Sequence, residues 1–167
     1  MIANLLEKIS ELEQQIATLK AEVEKEEKEK DPNKRWRAEV GCAYWFVESG
    51  EKPKWWHEYG RDIDIFNYET HNYFQTEKEA QKYAKVLETE RQLKKFADEH
   101  NDVIDWSNIE QEKYYVCYSC SDHKVIIANR QWTKDSRTIY FSSEKIAKQA
   151  IDEIGTDKIK EYLTYEW

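Results

Sequence analysis

Seven apolar residues near the start of the chain recur at alternating spacings of three and four, which is the heptad pattern of a coiled-coil helix. Those at the a positions are β-branched and those at the d positions are leucines, an arrangement that favours a parallel two-stranded coil. We therefore predict that residues 1–30 form a helix that makes the protein a homodimer. The heptad residues are Ile2, Leu5, Ile9, Leu12, Ile16, Leu19 and Val23.

The alternative for this segment is an amphipathic helix that folds back on its own domain. Leu6 is the one large apolar residue off the heptad stripe, so the stripe is narrow, as in a coiled coil. The pattern ends where Glu26 and Lys30 occupy the next d and a positions, respectively. Pro32 follows within a polar run, so we predict a linker over residues 31–35.

Every aromatic residue lies after Arg35: 7 Trp, 11 Tyr and 5 Phe fall within residues 36–167. Residues 43–47 (AYWFV) and 114–118 (YYVCY) are short runs rich in aromatic and β-branched residues between polar turns. Such runs are typical of strands. We predict one aromatic-rich α+β domain over this part of the chain.

A strand-to-helix junction occurs twice in this domain. Residues 72–84 (NYFQTEKEAQKYA) and 138–150 (TIYFSSEKIAKQA) share a Tyr-Phe pair, hydroxyl residues that can cap a helix, and a Glu-Lys helix start. Strand-like pieces precede each junction, so we predict the order β-β-β-α in two related units, 36–105 and 106–167. Neither unit can bury its sheet face alone, so we expect the two to pack together with an antiparallel sheet.

The third strand of each unit is predicted from a short run before the junction. These runs are residues 62–69 (DIDIFNYE) in the first unit and 130–132 (RQW) in the second. Thr76 and Glu79 have the spacing of a capping box at the start of the first helix, and Ser143 can cap the second.

Charge excludes some classes of function. The chain has 26 Lys and Arg against 34 Asp and Glu, a net charge of -8, without a basic block. Duplex-binding proteins concentrate Lys and Arg, so the charge argues against that class. No apolar run approaches the ~18 residues that span a bilayer, and no signal peptide is evident, so we expect a cytoplasmic protein without a membrane partner.

Cys117, Cys120 and His123 lie close together in the sequence CYSCSDH and raise the question of a zinc site. On a continuing strand, residues 117 and 120 point to opposite faces, and Cys42 is far away as a fourth ligand. We interpret the cysteines as structural thiols in a reducing compartment and predict neither a metal nor a cofactor.

Asp62 and Asp64 would share one face of the predicted strand and could form an acid/base or metal pair. Solvent-facing carboxylates that alternate with buried Ile63 and Ile65 explain the same spacing, and we adopt that interpretation. No phosphate-binding glycine loop occurs. The sequence therefore predicts a protein that is not an enzyme.

The stretch KPKWWHEYGR, residues 52–61, interleaves aromatic residues with cations. This composition suits stacking on a nucleotide or anchoring of a protein partner. The alternative is that Trp55 and Tyr59 are core residues and that Trp56 and His57 cover an edge. The predicted binding residues are Trp55, Trp56, His57, Tyr59 and Arg61, with Trp132 in a similar position before the second junction.

Three runs carry a resemblance to a group of proteins: NYFQTEKEAQKYAKVLETERQLKKFADEHNDVIDWSN, QEKYYVCY and IYFSSEKIAKQAIDEIGTDKIKEYL. With them the chain resembles small, uncharacterised accessory proteins encoded by phages and prophages of Firmicutes, over about residues 36–165. The resemblance implies a phage-related intracellular accessory protein and supplies no catalytic residues.

These features favour non-enzymatic binding as the function. In the setting that the resemblance implies, we expect protein–protein contact that inhibits a bacterial defence or regulatory protein of the host. A dimer would present two copies of the aromatic surface and so raise avidity. The alternative is a sponge that sequesters a nucleotide or oligonucleotide signal by stacking on Trp and Tyr. An accessory nucleic-acid binder is a third class, which the negative charge disfavours.

Overall fold

The structure is a computed structural model that describes residues 8–9, 12–20, 35–48 and 52–166. The chain divides into two compact units, Met1–Trp36 and Arg37–Trp167.

In the first unit, residues 8–9 and 12–20 are helical, and we call this segment α1. Four of the predicted heptad residues lie on α1, namely Ile9, Leu12, Ile16 and Leu19, and each is more than half exposed in the single chain. Ile2, Leu5, Val23 and linker residues 31–34 lie outside the described residues. The dimeric coiled coil therefore stays a prediction.

The second unit combines helices with two small antiparallel sheets, so the predicted α+β class is confirmed. Its elements are β1 (Ala43–Phe46), β2 (Lys54–His57), α2 (Asp62–Glu69), α3 (Glu77–His100), β3 (Lys113–Ser119), β4 (Lys124–Arg130), β5 (Tyr140–Phe141), α4 (Glu144–Ile154) and α5 (Thr156–Leu163). β1 and β2 form one hairpin, and the other sheet has the order β4-β3-β5. Among the described residues, no helix combines the length and apolarity that crossing a membrane requires.

The predicted order β-β-β-α describes the second half of this unit but not the first. In the first half, the residues predicted as a third strand form α2. Asp64 explains this, because its carboxylate accepts the backbone N–H of Arg61 at 3.0 Å and so satisfies an amide at the start of the helix. In the second half, the third strand is β5, and the prediction of a strand at residues 130–132 is wrong, because β4 ends at Arg130 and Trp132 lies beyond it.

The two repeated junctions have the same local structure. Phe74 exchanges two backbone hydrogen bonds with Trp45 on β1, both of 2.8 Å, and Phe141 on β5 pairs with Tyr114 on β3. Each junction then caps a helix. Thr76 and Glu79 form the predicted capping box, and the Ser143 hydroxyl accepts the N–H of Ile146 at 3.3 Å.

The main core lies where α4 and α5 pack on the three-stranded sheet and α3 packs on these two helices. Its buried members are Leu93, Phe96, Ala97, Phe141, Ala147, Ala150, Ile154 and Ile159. A second, smaller cluster holds the β1–β2 hairpin and consists of Ala38, Tyr44 and Tyr73 with Phe46 and Tyr68 at its margin. The second cluster contains few aliphatic side chains, and the buried polar residues Glu58, Asp64 and Asn67 lie in the same half of the domain.

Candidate functional site

Two carboxylates are buried in the hairpin half of the domain. Glu58, which follows β2, is 2% exposed. It accepts hydrogen bonds from Arg37 Nε and Nη2, both at 3.1 Å, from the Tyr73 hydroxyl at 2.8 Å and from the Gly60 N–H at 2.7 Å. Each of its oxygens has two donors, so the burial of the charge is offset by hydrogen bonds.

Asp64, in the first turn of α2, is fully buried. Its Oδ1 accepts from the Tyr44 hydroxyl at 2.9 Å, and its Oδ2 accepts from the N–H groups of Tyr59 and Arg61 at 3.1 and 3.0 Å. Asn67 Nδ2 donates to the same Tyr44 hydroxyl at 3.2 Å. The start of α2 is thus attached to β1 through a network of polar side chains.

The protonation of these groups follows from their partners. Burial by itself raises the pKa of Glu58, but the hydrogen bonds from Arg37, Tyr73 and Gly60 outweigh it and leave the pKa below its ordinary value. Burial also raises the pKa of Asp64, and its backbone and Tyr44 hydrogen bonds again bring it below the ordinary value. Both carboxylates are therefore ionised at neutral pH, with their oxygens occupied by internal donors rather than placed for acid/base catalysis.

The two carboxylates hold the segment that the sequence marked as a binding stretch. Glu58 and Asp64 bind the backbone of Tyr59, Gly60 and Arg61 and so fix the path of the chain there. The aromatic side chains of the segment then face solvent: Trp55, Trp56 and Tyr59 are 54, 48 and 55% exposed. The interpretation of Trp55 and Tyr59 as core residues is wrong.

The predicted binding residues of this stretch form two groups, because successive side chains on β2 point to opposite faces. The Arg61 guanidinium lies 5.2 Å from the ring centre of Trp56 and 5.0 Å from that of Tyr59. On the other face, the rings of Trp55 and His57 meet edge to face at 5.2 Å. The rings of His57 and Tyr59 are 6.2 Å apart, so the two groups are neighbours.

Helix α2 reverses the burial that the sequence predicted. Asp64 and Asn67 are buried, whereas Ile63, Ile65 and Phe66 are 50, 38 and 59% exposed. Residues three apart share a helix face, so the face with Asp64 and Asn67 turns towards Tyr44, and Ile63 and Phe66 turn away from it. The expectation of buried isoleucines and solvent-facing carboxylates at 62–65 is therefore wrong for all but Asp62, which is exposed.

Sequence reasoning missed the apolar face of α2. The signal was present in two acidic residues, Asp62 and Asp64, that follow Gly60 and Arg61, since acidic residues are favoured in the first turn of a helix. We refer to Trp55, Trp56, Tyr59, Ile63 and Phe66 together as the β2–α2 surface.

Trp132 does not belong to this surface. It follows β4 in the other sheet and is 76% exposed. In the described part of the chain it makes no ring contact with the residues of β2.

The cysteines do not assemble a site in the described part of the chain. Cys117 is half-buried on β3, where burial raises the pKa of its thiol, and Cys120 and His123 are exposed in the turn before β4. All three cysteines are free thiols. Across residues 8–9, 12–20, 35–48 and 52–166, no group of three or more His, Cys, Asp or Glu side chains is arranged to hold a metal ion.

A surface cavity of 490 Å³ lies where Lys52 and Pro53 approach α3 and α5. Its lining carries lysines and glutamates together, including Lys85, Glu88 and Lys158, around the short side chain of Ala84. The described residues that line it include no aromatic ring, so stacking on a nucleobase has no support there.

Comparison with protein-family models gave no match, and comparisons with curated proteins and with solved structures gave no significant match.

Proposed function

We propose that this protein is a non-enzymatic binding protein that attaches to a partner protein through the β2–α2 surface. The observation that carries the proposal is the orientation of α2, which turns Asp64 and Asn67 inward and Ile63 and Phe66 outward. An isolated exposed apolar residue needs no explanation, but a helix with its polar face buried and its apolar face exposed does.

The chemistry of this surface suits protein recognition. Trp, Tyr and Arg are the residues that most often dominate binding energy at interfaces, and here the Arg61 guanidinium lies against the rings of both Trp56 and Tyr59. Full burial of an exposed large apolar side chain contributes about 1.5–3 kcal/mol, so covering one of these half-exposed side chains contributes about half as much. The buried bonds to Glu58 and Asp64 hold the segment in place before binding, which lowers the entropy cost of association.

The resemblance to phage and prophage accessory proteins supports a specific version of this proposal. In that setting the partner is a bacterial defence or regulatory protein of the host cytoplasm, and binding inhibits it. A homodimer formed through the heptad residues would present two copies of the surface and strengthen binding to an oligomeric target.

The test is affinity capture of host proteins with matched tryptophan variants. Trp56→Ala and Trp132→Ala remove the same side chain from two exposed positions, one on the β2–α2 surface and one after the end of β4. We expect one host protein to be retained by the wild type and by Trp132→Ala and to be lost with Trp56→Ala or Phe66→Ala. Equal retention by all variants, or no specifically retained protein, would contradict the proposal.

A second candidate function is the sequestration of a nucleotide or oligonucleotide. The position of Arg61 over the rings of Trp56 and Tyr59 favours it, because bases stack on aromatic and guanidinium groups. Native mass spectrometry of the gently purified protein tests it. A bound nucleotide adds its mass to each protomer and disappears with Trp56→Ala, whereas an unmodified mass leaves protein binding as the function.

The dimer requires its own test. Leu12→Lys places a charge at a d position of the heptad, and Gln14→Lys places the same charge on the opposite side of the helix. We expect Leu12→Lys to give a monomer in sedimentation velocity and Gln14→Lys to sediment as the wild type. Identical sedimentation of the two variants would rule out the coiled-coil dimer.

A further inference from the structure

Strand β2 has one edge that the rest of the described fold leaves open. β1 pairs with β2 in antiparallel register, with Trp45 opposite Trp55 and Ala43 opposite His57. The N–H and the carbonyl of Trp45 both bond to Phe74, so they point away from β2. In an antiparallel pair, the backbone N–H and carbonyl groups of two directly opposite residues either bond to each other or all point away from the partner strand. The backbone groups of Trp55 therefore point away from β1.

The residue that follows β2 confirms this alternation. The Glu58 N–H donates to Cys42 O at 3.0 Å, and Glu58 O accepts from the Gly41 N–H at 2.8 Å, so Glu58 faces β1. Backbone direction alternates along a strand, so Trp56 also faces β1 and His57 faces the open edge. Within the described residues, the N–H groups of Trp55 and His57 have no hydrogen-bond acceptor.

The open edge is short because both of its ends are closed. Pro53, two residues before Trp55, has no N–H to offer. Tyr59, two residues after His57, donates its N–H to Asp64 Oδ2 at 3.1 Å. The His57 carbonyl accepts from Arg61 Nη2 at 3.4 Å, which brings the guanidinium to the edge itself. The edge thus offers the backbone of Trp55 and His57 and ends beside a cation.

We propose that the partner binds as an extended, acidic peptide segment that adds a strand to the open edge of β2. An added strand supplies a carbonyl to each of the free N–H groups of Trp55 and His57. Its side chains alternate between Trp55 with His57 on one face and Trp56 on the other, so both aromatic groups are contacted by a single segment.

The half-exposed guanidinium of Arg61 at the end of the edge favours an acidic segment. Residues 52–61 contain Lys52, Lys54 and Arg61 against a single acid, Glu58. Glu58 is buried and bonded to Arg37, Lys54 pairs with Glu48, and Arg61 Nε lies 3.5 Å from Asp64 Oδ2. The Nη2 group of Arg61 lies at the edge itself, where it reaches the His57 carbonyl. A carboxylate on the added strand can therefore pair with Arg61 at the end of the edge, in a chain whose net charge is otherwise -8.

This inference rests on the proposed function. Two substitutions of His57 distinguish strand addition from binding through the side chains alone. His57→Pro removes an N–H that points outward, so the substitution breaks no hydrogen bond to β1. Proline is tolerated at such outward-facing positions of an edge strand. His57→Ala removes the ring and keeps the N–H. The probe is a display library of short random linear peptides selected on the full-length protein. We expect the selected peptides to alternate acidic with apolar residues. Their affinity for the protein should fall at least about tenfold with His57→Pro and change little with His57→Ala.

Amide hydrogen exchange provides a measurement that does not depend on the proline variant. A selected peptide should slow exchange at Trp55 and His57 in the wild type and leave exchange along β4, the edge of the other sheet, unchanged. Selection of no peptide, of basic peptides, or of peptides that bind His57→Pro as tightly as the wild type would overturn the inference. So would a change in sedimentation of His57→Pro without peptide, because the occupant would then be a second copy. A captured host protein that needs Trp56 and still binds His57→Pro would overturn only strand addition and leave the proposed function standing.

Discussion

Replacing Asp64 by asparagine tests whether a buried carboxylate builds the β2–α2 surface. Asp64 Oδ1 accepts from the Tyr44 hydroxyl, and Oδ2 accepts two backbone N–H groups, those of Tyr59 and Arg61. The amide that replaces the carboxylate has one oxygen. When this oxygen keeps the two backbone donors, the new NH₂ group faces the Tyr44 hydroxyl, which already accepts from Asn67. The hydroxyl proton of Tyr44 then loses its acceptor.

The magnitude follows from these contacts. A buried donor without an acceptor costs about 1–3 kcal/mol. The loss of charge weakens two backbone hydrogen bonds and an Nε–Oδ2 ion pair of 3.5 Å with the half-exposed Arg61, which adds about 1 kcal/mol. We expect Asp64→Asn to lower the free energy of unfolding by about 3 kcal/mol, a large part of the about 5–15 kcal/mol typical of a folded domain.

The assay is urea unfolding followed by tryptophan fluorescence, at one fixed protein concentration because dimer formation would shift the midpoint. Asp62→Asn makes the same change at an exposed position of the same helix and should stay within about 0.5 kcal/mol of the wild type. Tyr44→Phe removes the stranded hydroxyl proton, so its combination with Asp64→Asn should cost about 1 kcal/mol less than the sum of the single variants. Equal midpoints for the two asparagine variants, or fully additive costs, would refute the reasoning.

Three further predictions concern acid stability, capping and a strained glycine. The folded pKa values of Glu58 and Asp64 lie below their unfolded values, so their charges stabilise the fold above about pH 4.5, and this contribution is lost as the pH falls through the folded pKa values. The urea midpoint should therefore be lower at about pH 3 than at about pH 6. The double variant Glu58→Gln with Asp64→Asn should show a smaller difference between the two pH values. Ser143→Ala should lower the free energy of unfolding by about 1 kcal/mol, because the N–H of Ile146 loses its cap; Ser121→Ala, in the exposed turn before β4, is the control, and equal midpoints would contradict the capping role. Gly155→Ala should cost about 1–3 kcal/mol, because φ at Gly155 is 101° and a Cβ there meets no atom within 4 Å, so backbone strain is its only cost; an unchanged thermal midpoint would contradict this.

Most strands and helices of the second unit could be predicted from the sequence, because their signals are local. The runs at 43–47 and 114–118 are strands β1 and β3, and the hydroxyl residues Thr76 and Ser143 cap the helices that follow. A capping side chain bonds to a backbone group three residues away, so the interaction is contained in the sequence pattern itself.

Residues 62–69 were decided by tertiary structure. Alternation of Asp and Ile predicts a strand, and periodicity over so few residues cannot distinguish a strand from a short helix. Asp64 reaches the hydroxyl of Tyr44, which lies 20 residues earlier in the chain, and this bond makes the polar face of the helix its buried face.

For the candidate site, too, some features follow from the sequence and others only from the tertiary structure. By itself the sequence indicated the residues that we propose for binding, since aromatic residues and cations are concentrated at 52–61, and it determined the repeated junction and the class of the domain. Only the tertiary structure decided that Trp55 and Trp56 face solvent on opposite sides of β2, that Ile63 and Phe66 are exposed beside them, and that no described strand pairs with one edge of β2. The physical reason is that exposure depends on which distant groups satisfy the neighbouring polar atoms. Here Glu58 and Asp64 find their donors inside the fold, and the apolar side chains between them are turned outward.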